Sequence, residues 1–398
     1  MRRLGGSGHP RCATLRVFAG FAALAAPAAA GALLAAALAG GCGRTPPGSP
    51  PGSPPGAPTG SPPAAARAGA GSVARGRQGK LNVYFWTNYL PEDVVAEFER
   101  RTGLEVTVDT YSANEALLAK LQSGVADYDV VVPSDYLLKV LIPQRLLREL
   151  DHARLPHLPN LDPRFLAQQF DPANRYSLPY LWGTTGLGYD KRKVAAPIDS
   201  WSAVFDARYA GRILMLDDER EVFAAALKLA GRSLNERDPA ALRQAAARLA
   251  AQKSLVRTYN SSDFANLLAA GDVDIAQGYN GELAKVVARQ PERLAYVVPK
   301  EGGTLWIDNL AVPRTARHLD AAYRFLDYLL EAEVAARVVD GVRYASANRA
   351  AFRLIDAAIR NDPAIYPPPA VLGRCELMED LGATTPLLDQ LWTEIKSQ

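Results

Sequence analysis

The sequence predicts an α/β fold in two lobes, and three observations carry that expectation. The chain has 398 residues, too many for one ordinary core and suited to two once its ends are set aside. From Leu81 onward strand-like and helix-like patterns alternate across short loops, the order of a sheet with right-handed crossovers. Residues 129–133 read Asp-Val-Val-Val-Pro, the apolar run of a strand covered on both faces.

The elements follow in order. Residues 82–86 form a β-rich run, and Leu90-Pro91-Glu92 opens an amphipathic helix reaching Thr102 and stopped by Gly103, with Pro near its start and Gly past its end. Residues 106–111 read as a second strand. Ser112 and Asn114-Glu115 then start a helix, with Ala116, Leu117, Lys120 and Leu121 at helical spacing and Gly124 as its stop. A helix over 136–147 follows the third strand. A second α/β region begins near Leu187, with strands over 212–216, 273–279, 294–298 and 304–312 and helices over 218–231 and 281–290. One long helical pattern covers 320–339, and the C-terminus is helical. No internal repeat is present. In open α/β sheets ligands bind beyond the carboxyl ends of the strands; here those ends carry Trp86, Tyr89, Ser134 and Tyr136.

The first eighty residues differ in kind. Arg2, Arg3, Arg11 and Arg16 precede an uncharged Ala- and Leu-rich stretch over 17–41 that ends in small residues, the layout of a signal peptide. Its length also suits a membrane span, against which Pro27 and its glycines count. It closes on Leu38-Ala39-Gly40-Gly41-Cys42, which resembles a bacterial lipobox with Ala39 where Leu is usual, so Cys42 is expected to carry lipid. Residues 42–80 are a tether of repeats such as Pro50-Pro51-Gly52-Ser53-Pro54-Pro55-Gly56, a composition that buries no core and stays extended. Cys375 is left without a partner, so no disulfide framework or zinc pattern can be built, and it reads as a small buried hydrophobe.

Charge is divided the same way. Nine of the 45 Lys and Arg residues and none of the 42 Asp and Glu lie in residues 1–80. The rest therefore carries 36 basic against 42 acidic side chains, a net charge of about −6 by simple counting. A nucleic-acid binder leans the other way, whereas an acidic body suits a cationic ligand.

The chemistry-bearing pattern is aromatics beside carboxylates at strand ends. Trp86-Thr87-Asn88-Tyr89 and Ser134-Asp135-Tyr136 follow the first and third strands; Asp217-Asp218-Glu219-Arg220-Glu221 lies at a strand-to-helix junction. Tyr279-Asn280 ends another strand and Trp306-Ile307-Asp308 lies within one. Aliphatic cations need this mixture: ring faces cover methylenes and attract the ammonium, and carboxylates accept its hydrogen bonds. Each element also has a structural reading. Asp218 and Glu221 match a helix capping box, Ser134-Asp135 an N-cap, and Trp86 and Trp306 a core. Asp308, inside an apolar strand, resists that reading because an unpaired buried carboxylate is costly. Enzyme signatures are thin. His9, His152, His157 and His318 show no metal spacing, and no Gly-x-Ser-x-Gly elbow is present. Gly183-Thr184-Thr185-Gly186-Leu187-Gly188 has the wrong glycine spacing for a dinucleotide loop. The Asp218/Glu221 pair alone would serve an acid/base hydrolase; three residues apart on one helix face, the two suit gripping one cation.

With these motifs the chain resembles the periplasmic spermidine/putrescine-binding proteins of ABC importers over roughly 81–398. The resemblance rests on Tyr-Phe-Trp-Thr-Asn-Tyr at 84–89, Tyr-Asp-Val-Val-Val-Pro-Ser-Asp-Tyr at 128–136 and Leu-Pro-Tyr-Leu-Trp-Gly at 178–183. Asp-Asp-Glu-Arg-Glu-Val-Phe at 217–223 and Pro-Lys-Glu-Gly-Gly-Thr-Leu-Trp-Ile-Asp at 299–308 continue it. It implies a two-lobed periplasmic-binding-protein fold with hinge crossovers and the ligand between the lobes. Lobe 1 is then expected over 81–183 and 307–352, and lobe 2 over 184–306 and 353–398. By position, Trp86, Tyr89, Tyr136, Trp306 and Tyr344 are the expected aromatic box, Asp218, Glu221 and Asp308 the ammonium-binding acids, and Thr87, Ser134 and Ser261 minor polar contacts. Asn88 stands where the family has an acid, Tyr279 where it has a Trp, and Met378 where a Gln would help. The resemblance implies a non-enzymatic, cofactor-free, metal-free monomer that is extracytoplasmic, held to the membrane by its lipid, and delivers a polyamine to a permease. The same fold with another small solute, or a sensor coupled to a membrane receptor, remains open at this point.

Overall fold

The computed structural model describes residues 79–397, apart from residue 126. The signal peptide, Cys42 and nearly all of the tether lie outside the described residues.

Parallel strands β1 (Lys80–Trp86), β2 (Glu105–Tyr111) and β3 (Val130–Val131) begin the fold. They are followed by β4 (Ser177–Asp190), β5 (Ile213–Met215), β6 (Val256–Tyr259), β7 (Ile275–Tyr279), β8 (Leu294–Val297), β9 (Thr304–Ala311), β10 (Ala345–Ser346) and β11 (Glu376–Leu377). In the first lobe the order is β2-β1-β3-β9-β4, with β10 also on β4; in the second, β4 continues and pairs with β7 and β8, and β5 and β6 lie beyond β7. One strand therefore serves two lobes. All fourteen residues of β4 are buried, because helices and partner strands cover it along its whole length. The glycine-rich run 183–188, whose spacing did not suit a dinucleotide loop, lies inside this strand.

Each lobe has its own core. Phe85, Phe98, Leu310 and Phe325 belong to the first, and Trp201, Phe223, Leu249 and Ile275 to the second. The helix Glu92–Thr102 shows how sequence makes the first. Val94 and Phe98 are buried one turn apart, and Gly103 closes the helix in the left-handed region at φ 73°, where a glycine costs least. Ile355, Ile359 and Ile365 still pack in the first core, and Leu381 is the first later residue in the second. The expected return to lobe 2 at residue 353 thus moves to the β11 segment, where Glu376 pairs with Thr304. With β4 and β9, this makes three crossovers.

Other boundaries move for local reasons. The long helix expected over 320–339 is two helices, Leu319–Leu330 and Ala332–Val342, with Glu331 extended between them at ψ 136°. The Leu330 carbonyl accepts the side-chain amides of Asn160 and Asn348 at 2.9 and 2.8 Å, taking the place of a helical partner. The helix expected over 136–147 is Asp135–Leu141, since Pro143 cannot continue it. Cys375 is half-buried rather than fully buried, its thiol 3.6 Å from the Val371 carbonyl oxygen. No described helix is long and apolar enough to cross a membrane.

Candidate functional site

The parallel strands of both lobes end on one cleft. β1 ends at Trp86 and β7 at Tyr279, while Ser134 and Asp218 follow β3 and β5. These four line a cavity of about 920 Å³ together with Thr87, Tyr89, Tyr136, Glu221, Ser261, Trp306, Asp308 and Tyr344. All twelve residues expected from the sequence are therefore brought to one place, as are Asn88 and Met378.

Asp308, on β9, is 5% exposed. Ser134 Oγ donates to its Oδ1 and the Tyr89 hydroxyl to its Oδ2, each at 2.6 Å. Ser134 occupies an N-cap position but makes no capping bond; its hydroxyl serves Asp308 instead. Burial pushes the Asp308 carboxyl up to about 6, against the pull of both hydroxyl donors. Burial, and next the Asp308 charge, holds the Tyr89 hydroxyl well above its ordinary value, so it remains a donor.

Asp218 and Glu221 divide the roles of a capping box. Asp218 caps the helix Glu219–Leu229, its Oδ1 accepting the Glu221 N–H at 3.1 Å. Glu221 does not reciprocate. Its Oε1 accepts from the Thr185 hydroxyl at 2.9 Å and its Oε2 from the Thr304 hydroxyl at 2.8 Å, so residues of two crossover strands aim it. Burial raises both carboxyls, and the Asp218 charge raises Glu221 further.

Rings form the walls. Tyr89, Tyr344, Trp306 and Tyr279 run in series, with successive centroids 5.2, 5.3 and 6.1 Å apart. Trp306 lies so close to β4 that a Cβ on Gly183 would stand 2.4 Å from the indole, which explains the glycine there. Trp86 is fixed by Nε1–H donation to the Val132 carbonyl at 2.9 Å and by Tyr111, whose ring centroid is 4.6 Å away. Tyr136 accepts an Asn114 amide hydrogen at 2.8 Å, and Thr87 donates to the Tyr111 carbonyl at 3.2 Å. The Ser261 hydroxyl is buried with no partner.

Sequence reasoning named Asp135 without assigning it to the site, and passed over Glu282 and Thr304; all three line the cavity. Glu282 was within reach of the pattern already used, standing three residues after Tyr279 in the first turn of the helix Asn280–Arg289. Thr304 had no signal, because its role depends on Glu221 arriving from 83 residues away. Among the described residues ten carboxylates line the cavity and the one cationic side chain is Arg220. Its guanidinium is engaged by the Glu379 carbonyl and Asn235 Oδ1 at 3.0 and 3.2 Å. The cleft is lined by acids with almost no basic side chain among them. Among the described residues no group of three or more His, Cys, Asp or Glu is placed to hold a metal ion.

Two lobes joined by three crossovers around such a cleft define a protein that encloses a small solute. The chain belongs to the bacterial extracellular solute-binding proteins, whose family model matches residues 93–367. It is 34% identical over 318 residues to the spermidine/putrescine-binding periplasmic protein 1 of Haemophilus influenzae, covering 79% of this chain and 88% of that one. The putrescine/cadaverine-binding protein of Pseudomonas aeruginosa is 33% identical over 340 residues, covering 82% and 96%. Among solved structures, the spermidine/putrescine ABC transporter substrate-binding protein of Streptococcus pneumoniae aligns with a TM-score of 0.72 at 30% identity, over 80% of this chain and 99% of that one.

Proposed function

We propose that this protein captures an aliphatic polyamine of the putrescine/spermidine type outside the cytoplasm and passes it, unaltered, to the permease of an ABC importer. The observation that carries this reading is the cleft itself, with its ten carboxylates, its series of rings and its single, already engaged cation. Asp308 takes one ammonium group, Asp218 and Glu221 the other, and the rings cover the methylenes between them. The names of the relatives support the same ligand class. A diamine is held at least as well as a triamine, since Asn88 brings no charge and Met378 is buried against Ala224 and Leu234. Titration calorimetry of putrescine, cadaverine, spermidine and spermine against the parent and Asp308→Asn tests this. The substitution is expected to cost on the order of 2–5 kcal/mol of binding, as when a desolvated charge pair loses one partner. Equal binding by both proteins removes Asp308 from the site, and a parent that binds none of the four overturns the reading. A parent preference for spermidine of about tenfold, roughly 1.4 kcal/mol, overturns the diamine reading alone. Cys42 carries the lipid in this scheme, and the mass of the membrane-extracted N-terminus checks it: an unmodified Cys42 removes the anchor.

A further inference from the structure

The cleft's mixture of acid and ring recurs at its lobe 2 edge, and there the chain supplies the ammonium itself. Lys396 lies in the last turn of the helix Thr385–Ser397. Its Nζ stands 2.8 Å from Asp217 Oδ1, 4.4 Å from the Tyr259 ring centroid and 5.2 Å from that of Trp392. The two rings meet edge to face with centroids 5.5 Å apart. A carboxylate beside ring faces is what an aliphatic ammonium requires. The turn that carries Lys396 is pinned, because Lys253 Nζ donates to the Ile395 and Lys396 carbonyls at 2.9 and 2.8 Å. Asp217 and Trp392 belong to this nest and also line the ligand cavity, where Asp217 adjoins Asp218. Folding does not account for the arrangement. The Lys396 side chain is 35% exposed and that of Asp217 50% exposed, and ion pairs so open to water add little stability.

We propose that Asp217, flanked by Tyr259 and Trp392, is a subsite for a third ammonium, and that Lys396 withholds it from the ligand. The incoming nitrogen of a triamine and the Lys396 nitrogen have the same chemistry. The ligand can reach the Asp217 carboxylate only by evicting its equal, so the exchange adds nothing to binding. The resident has a further advantage, since a tethered group competes at an effective concentration on the order of millimolar. A triamine therefore gains no more than a diamine at this end. This inference rests on the polyamine reading and gives its diamine preference a second cause, a residue outside the cavity wall.

The test is titration calorimetry of putrescine and spermidine against the parent, Lys396→Met and the double variant Lys396→Met/Asp217→Asn, with the melting temperature of each. The quantity read is the ratio of spermidine to putrescine affinity. It is expected to rise about fivefold in Lys396→Met, as for a carboxylate and rings freed at a half-exposed site, and to return to the parent value in the double variant. Lys300→Met, which removes a surface lysine paired with Asp199, controls for the loss of a positive charge as such. A change below about twofold in Lys396→Met, an equal rise in Lys300→Met, or a rise that survives Asp217→Asn overturns the proposal. Lys396→Gln serves if Lys396→Met does not fold; failure of both makes Lys396 structural and also overturns it. A parent that binds neither amine overturns the functional reading instead, so the two failures are distinct.

Discussion

At Asp308 and Asp135 the burial of carboxyls sets stability against binding. Burial lifts these carboxyls to about 6 and about 7, from an ordinary carboxylate value of about 4. Between the ordinary and the raised value the folded protein holds more protons than the unfolded chain. Stability contributed by these groups therefore falls as pH rises through that window. An ammonium ligand prefers the ionised carboxylates and so gains over the same interval. The melting temperature of the unliganded protein is expected to fall between about pH 5 and about pH 7, while the upward shift caused by saturating putrescine grows. Scanning calorimetry with and without putrescine reads both trends. A ligand shift that stays constant or shrinks with rising pH would falsify this account. How far single residues were readable follows from the same physics. Asp308 stood out because a lone acid in an apolar strand demands a reason. Glu221 looked like half of a capping box, because the Thr185 and Thr304 hydroxyls that turn it away come from other strands. Asp135 was masked by its helix-start position, which the N-cap reading already explained.

Among the elements, the crossovers pack most closely. Gly302 precedes β9 with φ 83°, and a Cβ there would lie 1.9 Å from the Arg374 carbonyl oxygen. Its own carbonyl accepts the Trp201 indole N–H at 2.7 Å, and Gly303 next to it accepts the Glu376 N–H at 3.1 Å. A turn, the second core and the third crossover are thus fastened together. Gly302→Ala should cost about 1–3 kcal/mol of stability from the left-handed backbone alone, and the contact with Arg374 adds to that. Urea denaturation measures it; an unchanged midpoint would show that the β11 segment yields freely. The strands and helices of the first lobe were legible because their periodicity is local, as the Pro91 start and Gly103 stop show. The break at Glu331 was not, since the amides holding the Leu330 carbonyl sit at positions 160 and 348. Nor was β4, where glycines to which the sequence reading gave no element make room for Trp306 and for Leu268 and Leu283.

For the whole molecule, the two-lobed architecture was readable from length and from the alternation of strand and helix patterns, but the course of the chain between lobes was not. Composition gives no sign that residues 353–372 stay with the first core, because isoleucines suit either. The topology sets an order on events that none of the pairwise contacts reveals. In the first lobe β9 lies between β3 and β4, so the place for it stays vacant until residues 304–311 have been synthesised. A chain emerging from the ribosome can make β1, β2 and β3, and even most of its second lobe, while its first sheet is still divided. Pairing between strands so far apart in sequence closes slowly. The half of the protein made first is thus closed only after most of the other half has been made.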